Sequence, residues 1–503
     1  MSQKRPNFLV FCTDQMQSAC LGCNGNDRIR TPNIDALAAG GVTFRRAYVN
    51  NPVCQPSRAG MITGKTPRQH GLITNGCCLP ESVPTLTGAL AEAGYRTHAV
   101  GKLHLQPFGG GGLGEADHSW EEGAAWNEGR ITELPQPYYG FQSVDFVGGH
   151  VSYAFGEYRR WLEENHPDAV EKLQQSEAYH REGRAWRMDL PADLHYNHWI
   201  ADRTIDFLQS RDEGKPFFLF CSFPDPHFPY AACRPYSEMY DPEEMPLPET
   251  WRETADPCEV LRRTREGMSQ HNIQEEGELR EITAQTYGMI THVDDNIGRI
   301  LASLDECERR QDTLVMLMAD HGEYLGSHGL LHKGPWPWEE LWRVPFVWRL
   351  PDGRAGGRAV DTPVSLLDFA PTISEMAGLE TGWHDQRGAG EGERPGLPGS
   401  SLLPFLTGGE AVDHPPAVVE YDEDWHGGTP LCRLRGIVEG EWKLVVWAGF
   451  EEGVLINLAE DPLEERNLWH DPSARERKAD LLARLAERLA YTERFDTPRI
   501  CGA

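Results

Sequence analysis

Residues 313–321 read Thr-Leu-Val-Met-Leu-Met-Ala-Asp-His. Thr313–Ala319 is an uncharged, mostly apolar run with the length and composition of a strand buried on both faces, and two chemistry-bearing residues stand directly behind it. Strands of that kind belong in parallel sheets covered by helices on either side. The segment before it, Glu278–Cys307, carries helical periodicity. The arrangement recurs along the chain. Asn7–Cys12 is followed by Asp14 and Gln15, Thr97–Val100 by Lys102 and His104, and Pro216–Phe223 by Asp225 and His227. Helix signals fall between these runs. Thr31-Pro32 opens a short helix that Gly40-Gly41 closes, Thr85–Ala93 stops at Gly94, and Tyr196–Arg211 is amphipathic. The alternation predicts an α/β fold built on a mainly parallel sheet.

The pattern also divides the chain. Residues 1–380 read as one large α/β domain, interrupted at about 109–189 by a Gly-, Trp- and Tyr-rich insertion expected to shape a pocket. Residues 381–416 read as an irregular connection. Residues 417–503 change character: Cys432–Val438, Trp442–Trp447 and Val454–Asn457 are short runs between turn residues. They predict a small antiparallel sheet closed by a helix at Ala474–Tyr491.

Composition sets limits. The 503 residues carry 48 Lys and Arg against 77 Asp and Glu, a net charge of −29, with no basic run. Such a body repels nucleic acid and anionic membrane surfaces. No stretch approaches the ~18 apolar residues of a membrane span, and the N-terminus lacks the pattern of a signal peptide. A cytoplasmic protein is expected, with its 12 Cys mostly reduced. Cys20 and Cys23 have half of a zinc spacing, but adjacent Cys77 and Cys78 do not supply the other half. There is neither a P-loop nor a dinucleotide turn. The sequence is compatible with a homo-oligomer and does not fix the oligomeric state.

In a parallel sheet, ligands gather at the carboxyl ends of the strands. Asp14, Gln15, Asp320 and His321 would therefore converge. Two carboxylates, an amide oxygen and an imidazole suit a cation such as Ca²⁺, Mn²⁺ or Mg²⁺. A further cluster completes the set. Asn50–Lys65 reads NNPVCQPSRAGMITGK, and Cys54 lies two residues before Pro56, a favoured early helical residue. Its side chain would sit at a helix N-terminus, where an anion is stabilised.

Cys54-x-Pro56-Ser57-Arg58, continued by Ile62-Thr63-Gly64-Lys65, resembles the signature of the sulfatases. Further segments match in order: Thr31–Asp35, Gly101-Lys102-Leu103-His104, Pro226–Pro229, Asp320–Glu323 with Gly326, His328-Gly329 and Lys333, then Pro363–Leu379 and Leu434–Leu468. The resemblance covers nearly the whole chain and implies an alkaline-phosphatase-like fold, a large mixed sheet between helices with a smaller C-terminal α+β subdomain. It implies that a formylglycine-generating enzyme converts Cys54 to formylglycine (3-oxoalanine), hydrated to a geminal diol. It also implies a divalent metal, Ca²⁺ first, held by Asp14, Gln15, residue 54, Asp320 and His321. Many sulfatases carry Asp-Asp and Asp-Asn where this chain has Asp14-Gln15 and Asp320-His321. That version resembles a bacterial branch that includes phosphonate monoester and phosphodiester hydrolases, which lack the Lys and His found here as Lys102 and His104.

The resemblance assigns roles as follows. One diol hydroxyl attacks sulfur while Arg58, Lys102 and Lys333 stabilise charge. His227 protonates the leaving oxygen, and His104 takes a proton so that sulfate departs. Asn75 matches a substrate-contacting position, and Lys102, His227 and Lys333 also face substrate. A small sulfate monoester is expected, with a phosphonate monoester or phosphodiester as the alternative. A plain thiol hydrolase using Cys54, or a non-catalytic binding protein, leaves the metal-type clusters unexplained. Trp336 and Trp338, close after Lys333, are expected as pocket walls. Trp120, Trp126, Tyr138, Tyr139 and Trp186 would stack on a substrate ring or pack the insertion's own core.

Overall fold

The apolar runs form the strands expected of them in the computed structural model, which describes residues 5–109, 119–179, 184–210, 214–252, 257–351, 353, 356–379, 382–383, 396–408, 413–423 and 432–492. Nine strands make the main sheet, in the order Arg358–Val360, Val42–Phe44, Phe346–Arg349, Thr313–Ala319, Asn7–Thr13, Phe217–Phe223, Arg96–Gly101, Ser143–Gly148, Phe155–Gly156. The five strands from Thr313–Ala319 to Ser143–Gly148 run parallel, and Phe346–Arg349 and Phe155–Gly156 flank them antiparallel. The sheet is mixed and mainly parallel.

Helices cover both faces, as buried parallel strands require. Adjacent residues Phe217 and Phe218 show why: Phe217 meets Phe207 of the helix Tyr196–Gln209, and Phe218 meets Phe369 of the helix Phe369–Ala377. Glu276–Glu306 packs against Tyr196–Gln209 and Pro32–Ala39. Cys54–Thr63 and Leu86–Glu92 join Phe369–Ala377. A fully buried Leu, Ile or Phe contributes about 1.5–3 kcal/mol, so this two-sided core is the main source of stability.

The stretch read as an insertion is partly sheet. Ser143–Gly148 adds a parallel strand beside Arg96–Gly101, and Phe155–Gly156 turns back on it. Residues 110–118 and 180–183 of that stretch, and 384–395 of the connection, lie outside the described residues. Beyond them, Ala417–Glu423, Cys432–Glu439, Trp442–Trp447 and Val454–Asn457 form a four-stranded antiparallel meander. The helix Arg475–Tyr491 buries Leu481 and Leu485 against its Ile437, Leu444 and Leu455. Among the described residues no helix is long and apolar enough to cross a membrane, and the cysteines are free thiols.

Candidate active site

Register brings the strand ends together. Thr13 pairs with both Ala319 and Phe223, and Gly101 with Ser222. The next residues, Asp14, Lys102 and Asp320, therefore leave the sheet at one edge. Gly101 has φ +97°, and a Cβ there would stand 1.9 Å from the Ser222 carbonyl oxygen. Only glycine allows the strand to turn Lys102 inward so close to its neighbour.

Cys54 arrives from outside the sheet. It opens the helix Cys54–Thr63, whose residues are all buried and which ends at Gly64 in the left-handed conformation. Pro56 occupies the first turn, where its missing N–H costs nothing. Ser57 Oγ donates to the Asp320 carbonyl (2.6 Å), and Arg58 Nε to Asp320 Oδ2 (2.7 Å). Arg58 Nη1 donates to the Lys102 carbonyl and to Ser222 Oγ, both at 2.9 Å. Arg58 thus ties three strand ends to the helix that bears Cys54.

Cys54 Sγ lies 2.7 Å from Lys333 Nζ, 3.2 Å from His321 Nε2 and 3.6 Å from Asp14 Oδ1. Possible ligand atoms of Asp14, Cys54, Asp320 and His321 all fall within 4.8 Å of one another. The tautomer of His321 follows from its neighbour: Nδ1 is 2.8 Å from the Gly322 carbonyl, which can only accept. Nδ1 carries the proton, and the Nε2 lone pair faces the cluster. Burial and Lys333 lower its pKa to about 4, so it is neutral near pH 7. Gln15 is oriented as firmly. Its Nε2 donates to the Glu323 carboxylate, which leaves Oε1 3.4 Å from Lys333 Nζ. Its backbone N–H donates to Asp320 Oδ1 at 3.0 Å. Two carboxylates, an imidazole lone pair and an amide oxygen fit a hard-to-borderline divalent cation.

The cationic groups balance the acidic ones. Lys102 Nζ forms a buried ion pair with Asp14 Oδ2. Burial alone would raise the Asp14 carboxyl, but Lys102 above all holds it well below the ordinary range. Burial and Asp14 push the Cys54 thiol up, so the unmodified side chain is a poor nucleophile near neutral pH. That weighs against the plain thiol hydrolase.

Two ammonium–imidazole pairs stand side by side. Lys333 Nζ is 2.9 Å from His227 Nε2, and Lys102 Nζ is 3.2 Å from His150 Nε2. The two rings stack at 3.6 Å with 8° between planes. His227 Nδ1 donates to the Phe228 carbonyl, so its Nε2 accepts from Lys333. His150 was missed in the sequence; its one signal is its place two residues after the strand Ser143–Gly148.

His104 and Asn75 stand farther out. The His104 ring stacks on Phe108 (3.8 Å, 16°), and Nδ1 has no partner among the described residues. Its backbone, at φ +57°, is held by Glu121, another residue the sequence did not flag. The buried Glu121 carboxylate accepts from the N–H groups of His104 (2.7 Å), Leu105 (2.9 Å) and Gln106 (3.1 Å), and from Tyr138 OH (2.8 Å). Asn75 is exposed, and its Oδ1 accepts from the Gln55 N–H at 3.1 Å, capping the helix that begins at Cys54. Trp336 and Trp338, expected as pocket walls, lie in the core. Both are fully buried there, Trp338 stacked on His328. Trp126, Tyr138, Tyr139 and Trp186 are buried core, and Trp120 is 37% exposed. Cys20 and Cys23 join no cluster of three metal-type ligands among the described residues.

Comparison with known proteins agrees with this geometry. The chain is 29% identical to the choline-sulfatase of Rhizobium meliloti over 99% of its own length and 89% of the relative's. It is 29% identical to an arylsulfatase of Clostridium perfringens, over 74% of this chain and 75% of that one. The crystal structure of the phosphonate monoester hydrolase of Agrobacterium radiobacter superposes with a TM-score of 0.77 at 25% identity, covering 97% of this chain and 96% of that one. Residues 326–491 match the model of the C-terminal part of N-sulphoglucosamine sulphohydrolase, and residues 6–379 match that of the sulfatases. The chain belongs to the sulfatase family and is a sulfuric ester hydrolase.

Proposed function

We propose that the chain hydrolyses a small sulfate monoester at the cluster around Cys54, after a formylglycine-generating enzyme has converted that residue to formylglycine. The observation that carries this reading is the environment of Cys54: a buried side chain at a helix start, faced by a lysine, an imidazole lone pair and a carboxylate. Asp14, Gln15, Asp320 and His321, with residue 54, would hold one divalent cation, Ca²⁺ ahead of Mn²⁺ or Mg²⁺. When present, the cation and the hydrated aldehyde supply an oxygen nucleophile at neutral pH.

The chain's own residues do the rest. Lys102 and Lys333 place positive charge where sulfuryl oxygens gain negative charge. Arg58 fixes Asp320 and the Lys102 backbone in one bonded frame. His227, with Nδ1 committed to a carbonyl, can take and give a proton only at Nε2, beside Lys333. Nε2 takes a proton from Lys333, which donates to it, and passes that proton to the leaving oxygen as general acid. His104, kept neutral by burial and Lys102, is the base of the second step. The net charge of −29 favours a small ester over a long sulfated polymer.

A phosphonate monoester or phosphodiester is the second reading, favoured by the pairs Asp14-Gln15 and Asp320-His321 and by the fold likeness to a phosphonate monoester hydrolase. The discriminating experiment compares kcat/KM for an aryl sulfate and a phenylphosphonate monoester in one metal-loaded preparation. A higher value for the sulfate is expected, with a loss of about 10²-fold or more in Lys102→Ala. A preference for the phosphonate would replace the first reading with the second.

A further inference from the structure

Away from the Cys54 cluster, three elements meet at a second buried group of metal-type side chains. His195 stands directly before the helix Tyr196–Gln209, Cys233 lies in the two-residue strand Cys233–Arg234, and His292 projects from the middle of Glu276–Glu306. They are 1%, 1% and 2% exposed. Cys233 Sγ is 3.3 Å from His292 Nδ1, and possible ligand atoms of all three lie within 4.8 Å of one another. His195 Nε2 is buried without a hydrogen-bond partner among the described residues. A buried polar nitrogen left alone is costly and calls for an explanation. His292 also lines a cleft shared with His198, Tyr236, Asp295 and Arg299, which gives an ion a route from solvent.

The chemistry of this group differs from that of the Asp14 and Asp320 cluster. It has a thiol and two imidazoles and no carboxylate, a borderline-to-soft set suited to Zn²⁺ and poorly suited to Ca²⁺. We propose that His195, Cys233 and His292 bind one Zn²⁺-class ion, separate from the catalytic site, with three protein ligands and the fourth position left to water. Binding forms a metal–sulfur bond as the Cys233 thiol loses its proton to solvent, one proton per ion. His195 now accepts a hydrogen bond at Nδ1 from the Asn197 N–H, at 3.2 Å. Ligation through Nε2 moves the ring proton to Nδ1, and that capping bond is exchanged for the metal bond. The ion fastens the start of Tyr196–Gln209 to its two neighbours. Tyr196 OH and Asn197 Nδ2 hold the Asp225 carboxylate, two residues from His227, so the staple secures the turn that carries the proposed acid.

The test is a Co²⁺ titration of the full chain carrying Cys54→Ala, so that no thiol stands in the catalytic cluster. A near-ultraviolet thiolate-to-cobalt band should saturate at one equivalent and collapse when Zn²⁺ is added. It should vanish on adding Cys233→Ser, and His292→Asn should weaken Co²⁺ binding about 10-fold or more. The absence of a charge-transfer band, or a band unchanged by Cys233→Ser, overturns the proposal. Should Cys233→Ser fail to fold, thermal melting of Asp14→Asn decides. A Zn²⁺-dependent rise in Tm that persists in Asp14→Asn and is lost on adding His195→Asn supports the site. A rise lost in Asp14→Asn, or retained with His195→Asn, contradicts it.

Discussion

Glu121 shows how single side chains set this site. Its carboxylate closes on three successive N–H groups and so holds the loop between Lys102 and Gln106. Glu121→Gln turns an NH₂ toward at least one of those donors, at a cost of about 1–3 kcal/mol. A loss in kcat/KM of ~10-fold or more should accompany it, because His104 loses its fixed position. Burial raises the Glu121 carboxyl from 4.5 to about 7 against its hydrogen bonds. A folded value above the unfolded one stabilises at low pH, and that stabilisation fades as pH rises through about 7. The Tm gap between wild type and Glu121→Gln should therefore narrow between about pH 4.5 and 7 and level off above; a widening gap contradicts the assignment. Asp14, Asp320 and His321 were legible in the sequence because they follow mainly apolar runs, and Lys102 because it follows a shorter strand signal and stands in a Gly-Lys-x-His element. Glu121 was not, since it meets the His104 N–H from 17 residues away in a stretch without periodicity. His150 was hidden because Ser143 and Asp145 interrupt the strand before it.

At the level of elements, the site depends on where strands stop. Gly101→Ala would place a methyl against the Ser222 carbonyl and force a non-glycine residue to φ +97°. Together these should cost about 2–4 kcal/mol. Denaturant unfolding should register that loss, and kcat/KM should fall too because Lys102 is next in the chain. An alanine variant as stable and active as the wild type would show that the turn is not needed. The parallel strands and their helices were readable from runs of Leu, Val, Phe and Met, since burial on both faces leaves no room for polar alternation. The strand inside residues 109–189 was not, because its pairing with Arg96–Gly101 is a long-range choice that local pattern does not record. The tryptophans after Lys333 teach the same point. Nearness in sequence places a residue on a loop, but its packing is a long-range choice, as the stacking of Trp338 on His328 shows.

Across the whole molecule, the C-terminal sheet is fastened to the loop behind Lys333 by a buried charge. Lys443 is fully buried and donates to the Pro337 carbonyl (2.7 Å) and to Glu339 Oε1 (2.9 Å). Burial pushes its other neighbour, Glu464, up to about 8, whereas Lys443 keeps Glu339 ionised. Lys443→Met would leave the Glu339 carboxylate without that cation, at a cost of about 3–5 kcal/mol. A shift in the unfolding midpoint checks it, and an unchanged midpoint would show the pair to be neutral for stability. The C-terminal sheet was legible from its short alternating runs, but its attachment through Lys443 was not, because Glu339 lies 104 residues away. The fold as a whole converges on one side chain, so the most direct measurement is the peptide mass at residue 54 in preparations of known sulfate-releasing activity. The account predicts a residue ~18 Da lighter than cysteine, with specific activity rising in proportion to the converted fraction. Full activity from protein whose Cys54 is intact would contradict it.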